Sequence, residues 1–213
     1  MRLYRVAWVD PDWPDLSPWE PFHPLFVPLD RQGGGRFDNP DHYAALYASA
    51  TSEGAVGETF GNYATWLAAE LVRAKQGRPR CLVTLEVPDD VKLVDLDDPE
   101  VLVRLGLRPT DVVRRNRDHT QGIALRLWLD QAASDHRGIR WWSYWRPEWV
   151  VTMLWSETTG PPSFKDAEVV EVEEIAADHA AVVHAAESLP RKSVHALISR
   201  TRAARRRVVG RTT

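Results

Sequence analysis

RQGGGRFDNPDHYAALYASATSEGAVGETF, residues 31–60, carries the reading of this chain. At its centre ALYAS (45–49) is a short apolar run of the length of a buried strand. Thr51 and Ser52 follow as candidate N-caps, and the apolar Ala55, Val56 and Phe60, with Thr59, lie on the helix that they open. The segment predicts a strand that leads directly into a helix. Upstream, Gly33, Gly34 and Gly35 run into Arg36. Consecutive glycines let backbone N–H groups converge on an anion and let a ligand come close. The planar fork of Arg36 suits a phosphate or pyrophosphate. Tyr47 offers a ring for a flat heterocycle, and Glu58 offers a carboxylate beside it. An anion cradle, an aromatic platform and an acid are the parts needed to hold a nucleotide and to stabilise a cation as a glycosidic bond breaks. Each has a plainer alternative: a flexible loop, a core tyrosine, a solvated helix face. Their order and closeness favour the site.

Outward from this segment the chain reads as α+β. LYRVAWV (3–9) alternates and predicts a strand, and residues 10–40, rich in Pro, Gly and Asp, predict a long loop. Tyr63–Gln76 predicts a second helix stopped by Gly77. RCLVTLEVP (80–88) predicts a strand, with a tight turn at Pro88-Asp89-Asp90 into VKLVDL (91–96). Pro99–Leu105 predicts a short helix. Asp118 and Gln121 have the spacing of a capping box for a helix over 119–133. GIRWWSYW (138–145), EWVVTMLW (148–155) and AEVVEVEEI (167–175) predict strands, the last of them an exposed edge. From Ala176 the pattern turns helical, with Pro190 as a break. The expected organisation is one domain over 1–175 and a helical, basic tail over 176–213.

Composition narrows the classes. The chain has 213 residues, 44% of them hydrophobic and 27% charged, which suits one folded domain. Cys81 is the single cysteine, so no internal disulfide forms. No run approaches the ~18 apolar residues of a membrane span, and the start lacks the apolar core of a signal peptide, so a cytoplasmic protein is expected. All 30 acids lie at or before Glu187, whereas eight basic residues follow it from Arg191 to Arg211. The body is therefore acidic and a poor nucleic-acid surface by itself. The tail reads as a solvated basic segment; contact with phosphates or with an acidic protein face stays open. The seven histidines form no H-E-x-x-H, so no metal is expected. No G-x-S-x-G, Walker A or G-x-G-x-x-G pattern is present.

The ordered set of residues resembles the RES domain family, the toxin halves of bacterial toxin–antitoxin pairs. The resemblance runs through LYRVA with Arg5, GGGRFDNP with Arg36, YAALYAS with Tyr47, GAVGETF with Glu58 and GIRWWSYW with Ser143, over roughly residues 3–175. The sequence departs from the family pattern at Phe37-Asp38, where Trp-Asn is usual, and at Trp142 and Tyr144 around the serine. The resemblance implies an ADP-ribosyltransferase-like split β-sheet core with flanking helices. It implies NAD as a substrate cleaved at the nicotinamide–ribose bond, with no other cofactor, and an antitoxin with an Xre-like domain. It also implies roles: Glu58, Arg36 and Tyr47 catalytic, with Arg5, Gly34, Gly35, Arg36, Tyr47 and Ser143 binding substrate. Ser143 would orient a ribose hydroxyl or the nicotinamide amide. Water, inorganic phosphate or a protein side chain remain open as acceptors, and so does self-association. The competing classes are a nucleotide-binding module without turnover and a nucleic-acid binder acting through the tail.

Overall fold

A computed structural model describes residues 1–130 and 135–190. Seven strands form one sheet: β1 (Arg2–Trp8), β2 (Tyr43–Ser49), β3 (Arg80–Glu86), β4 (Leu93–Asp95), β5 (Gly138–Trp142), β6 (Val150–Glu157) and β7 (Glu168–Glu174). Their order is β4-β5-β6-β2-β1-β3-β7, antiparallel except for the β4–β5 pair. The helices are α1 (Ser52–Phe60), α2 (Ala68–Leu71), α3 (Pro99–Leu105), α4 (Pro109–Val113), α5 (Arg117–Leu129) and α6 (Ala180–Ser188).

The sheet is split at its centre. β1 pairs with β3 along its whole length, from Arg2 opposite Glu86 to Trp8 opposite Arg80. β2 pairs likewise with β6, from Tyr43 opposite Glu157 to Ser49 opposite Val151. Between β1 and β2 the register holds one pair, Tyr4 and Ser49. Two half-sheets therefore meet at a point and part beyond it. Strand alternation puts Tyr4, Val6, Ala45 and Tyr47 on one face, where α1 and α6 cover the β1 half and α3–α5 cover the β2 half. Leu3, Leu46, Val83 and Leu85 pack on the opposite face under the 10–40 loop.

Several expectations need correction. Between Tyr63 and Gln76 only Ala68–Leu71 is helical. Trp66 is 1% exposed, and its indole N–H donates to the Phe60 carbonyl at 2.9 Å. Trp8 and Arg80 side chains donate to the Arg73 and Glu70 carbonyls. These anchors override helix propensity. Gly77 does not stop a helix. Gln76 and Gly77, with φ of 51° and 77°, form a two-residue turn between Lys75 and Arg78. VKLVDL does supply a strand, shortened to Leu93–Asp95, and β4 lies at the far edge of the sheet, parallel to β5. The cap of α5 is Asn116, which accepts from the His119 amide at 3.1 Å, rather than Asp118. The short helix α4 was not expected. Residues 131–134 of the expected 119–133 helix, and the basic stretch 191–213, lie outside the described residues.

Candidate active site

The parting of β1 from β2 opens a cleft of about 430 Å³, walled by β1, β2, α1 and the glycine loop. Arg5, Gly35, Arg36, Tyr47 and Glu58 all line it; Gly34 is exposed and does not. The open edge of β2 is partly closed by Gln32. Its side-chain amide donates to the Ala45 carbonyl at 2.6 Å and accepts from the Ala45 amide at 3.1 Å, replacing a strand partner.

The glycine loop does cradle an anion, and that anion is the carboxylate of Asp38. The Gly33 and Gly35 amides donate to Asp38 Oδ2 at 2.8 and 2.7 Å. Gly33 has φ of 113°, and a Cβ on Gly35 would collide with the Asp38 carboxylate, so both positions require glycine. The other oxygen, Oδ1, accepts from the Tyr47 hydroxyl at 2.7 Å, and that hydroxyl accepts from the Phe37 amide at 3.0 Å. Burial and the neighbouring Asp38 raise the Tyr47 pKa well above its ordinary value, so the hydroxyl stays a neutral donor. The Tyr47 ring stands edge-on to Trp141, with centroids 6.1 Å apart. Gln121, expected to reach back into a cap, instead donates to the Gly33 and Gly35 carbonyls at 2.8 and 3.0 Å. Thr120 donates to the Arg36 carbonyl at 2.5 Å. Two side chains of one helix, α5, thus hold the loop from one side.

Arg36 is half-committed. Its Nη1 donates to the Val112 and Arg114 carbonyls at 3.0 and 2.8 Å, at the end of α4. Burial and then Arg117 lower its pKa, opposed by Glu58 and Tyr47. Arg117 lines the same cleft.

Glu58 is on the cleft-facing side of α1. Thr51 caps this helix by accepting from the Gly54 amide at 3.1 Å. Gly57 lets the helix press against the Trp149 ring, where a Cβ would collide. This close approach brings Glu58 to Ser143. The Ser143 hydroxyl donates to Glu58 Oε1 and accepts from the Trp145 amide at 3.0 Å. Burial raises the Glu58 pKa; the Ser143 hydrogen bond and Arg36 hold the rise down. Ser143 is 1% exposed and does not line the cleft; its hydroxyl is spent on Glu58.

Sequence reasoning missed Asp38, Gln32, Arg117 and the half-exposed Tyr144, all placed at or beside the cleft. For Asp38 a signal existed, since Asp side chains in turns commonly accept from backbone amides a few residues away. A larger cavity of about 590 Å³, around Trp155 and Lys165, is lined by none of the expected site residues. Among the described residues no group of three or more His, Cys, Asp or Glu is placed to hold a metal ion. Among them, too, no helix is long and apolar enough to cross a membrane.

The sequence matches the RES domain family over residues 2–184. No curated protein matches it. Six chains of solved structures match. One belongs to the crystal structure of the M. tuberculosis MbcT–MbcA toxin–antitoxin complex. It is 16% identical, has a TM-score of 0.58, and is matched over 89% of this chain and 88% of that one. At this identity the likeness establishes a shared fold.

Proposed function

Because this chain belongs to the RES domain family, we propose that it is a RES-type toxin that cleaves the nicotinamide–ribose bond of NAD. Its action would deplete NAD in the cytoplasm and arrest growth. The observation that carries the reading is the Glu58 carboxylate, half-buried on the wall of the split-sheet cleft and held by Ser143, with Arg5, Arg36 and Arg117 lining the same space.

In this reading the C–N bond between ribose and nicotinamide breaks, and its electron pair leaves with the nicotinamide nitrogen. Positive charge develops on the ribose C1′ and ring oxygen, as in glycoside hydrolysis. Glu58, ionised and only partly solvated, stabilises that charge where the local dielectric is low. Ser143 positions the carboxylate. The part of the Arg36 fork not spent on α4 carbonyls holds the pyrophosphate, with Arg5 beside it. Tyr47 presents its ring to the nicotinamide while its hydroxyl stays bound to Asp38. Water then adds at C1′ and loses a proton, giving ADP-ribose, or inorganic phosphate adds and gives the 1″-phosphate.

We also propose an antitoxin partner with an Xre-type DNA-binding domain that covers the cleft. Family membership and the toxin–antitoxin complex of the structural neighbour support this. Induced expression in a bacterial host tests the function. NAD should fall before growth stops, and Glu58→Gln should abolish both effects. Growth arrest with undiminished NAD would overturn the reading.

A further inference from the structure

Two loop segments, each tied to a side chain of the cleft, are linked to one another. One joins α4 to α5. The Val112 carbonyl at the end of α4 and the Arg114 carbonyl beyond it accept from Arg36, and Asn116 caps α5. The other joins β5 to β6 and is closed on itself. The Ser143 amide donates to the Trp149 carbonyl at 2.7 Å, and the Trp149 amide donates to the Arg146 carbonyl at 2.9 Å. Ser143, at the start of this loop, holds Glu58. Arg115 belongs to the first segment and Tyr144 to the second. The Arg115 guanidinium lies over the Tyr144 ring, 4.5 Å from its centroid.

Both partners of this contact are at the opening of the cleft. Tyr144 lines the cleft and is nevertheless 49% exposed, so core packing does not account for its ring. It is also one of the positions at which this chain departs from the family pattern. The other cations of the two segments are engaged: Arg114 shares Asp111 with Arg108, and Arg146 pairs with Glu148. Arg115 has no ion pair among the described residues. Burial first, then Arg117 and Arg115, lower the Arg36 pKa, so the Arg115 charge is felt within the cleft.

A cation–π contact at an exposed site is weak, and exposed side chains move fast, so such a link opens and recloses readily. Here its two backbones are anchored and only the side-chain tips join.

We propose that the Tyr144–Arg115 pair is a strap across the mouth of the cleft, which parts for a ligand to enter or leave and limits the access of bulk water while closed. The inference rests on the reading of this cleft as the site of nucleotide cleavage. The strap acts on passage through the mouth, on the empty and the loaded cleft alike, and not on the chemistry at C1′.

The test is stopped-flow binding of ADP-ribose to the full chain, followed by tryptophan fluorescence, since Trp141 lines the cleft. Wild type is compared with Tyr144→Ala, Tyr144→Phe and Arg115→Met, whose thermal melts report folding. Loss of the ring or of the charge should raise the association and dissociation rate constants together, by about three- to five-fold, with their ratio changed by less than about two-fold. Tyr144→Phe keeps the ring and should match wild type. A contact that serves only the fold would lower the melting temperature and leave both rate constants in place, and that result would overturn the proposal. Slower association in a folded variant, or Tyr144→Phe behaving as Tyr144→Ala, would overturn it too, as would failure of ADP-ribose to bind wild type. Nicotinamide release from NAD by wild type, measured alongside, reports on the cleavage reading. Release with unmoved rate constants sinks the strap alone. Faster ADP-ribose exchange in the variants without release keeps the strap and sinks the cleavage reading.

Discussion

The Ser143 hydroxyl donates to the Glu58 carboxylate while accepting from the Trp145 amide. The serine therefore ties the end of β5 to α1 and fixes the direction of the acid. Ser143 is buried and Glu58 half-buried; burial raises the Glu58 pKa and the Ser143 hydrogen bond opposes that rise, so the serine acts on the ionisation of Glu58 as well as its position.

Ser143→Ala removes the hydrogen bond and leaves the burial. The Glu58 pKa, already above its ordinary 4.5, should rise further. NAD cleavage that needs the ionised carboxylate should then have its acid limb moved to higher pH, with activity at neutral pH down roughly ten- to a hundred-fold. A pH–rate profile checks this. An acid limb that stays in place would assign Ser143 a packing role only.

Glu58→Gln should raise thermal stability at neutral pH while removing turnover. The folded pKa of Glu58 is raised, so its favourable contribution to folding is complete below the unfolded value and is lost as pH rises through the folded value. Neutral glutamine avoids that loss. The melting-temperature gap between variant and wild type should shrink toward acid pH. A gap independent of pH would contradict the buried-carboxylate account.

Tyr47→Phe leaves Asp38 Oδ1 and the Phe37 amide each without a partner. The expected cost is about 1–3 kcal/mol of stability, read by urea denaturation. Since Asp38 also binds the Gly33 and Gly35 amides, NAD affinity should fall with it. A fully stable variant would show that the carboxylate finds other donors.

Gly57→Ala tests the close approach that delivers Glu58. Helix propensity alone would make it stabilising by about 1 kcal/mol. The Trp149 ring occupies the place of the new Cβ, so the variant should lose about 1–3 kcal/mol and most of its activity. Denaturant midpoints and turnover together decide it.

The strand and helix of 43–60 are legible in the sequence because local signals agree there: β2 is apolar, Thr51 caps, and the apolar positions of α1 face one side. Arg36, Tyr47 and Glu58 are legible in the stretch itself and Arg5 through the resemblance, and the fold gathers these four in one cleft. What the sequence conceals is set by distant partners. Trp66 breaks the Tyr63–Gln76 pattern through a core 1% exposed at its own position. β4 leaves its neighbour in sequence for β5, a choice that edge pairing makes and periodicity does not reveal. Asp38 lies in the very stretch that opened the reading, yet its role depends on Tyr47 nine residues away across the loop. Gln121 has the spacing of a cap and spends its amide on the glycine loop.

The most direct measurement is NAD consumption by the purified chain, with and without inorganic phosphate, beside Glu58→Gln. Wild type should release free nicotinamide as NAD disappears, and the variant should release none while remaining folded. A product that changes from ADP-ribose to its 1″-phosphate when phosphate is added would identify the acceptor. Equal nicotinamide release by wild type and Glu58→Gln would contradict the account at its centre.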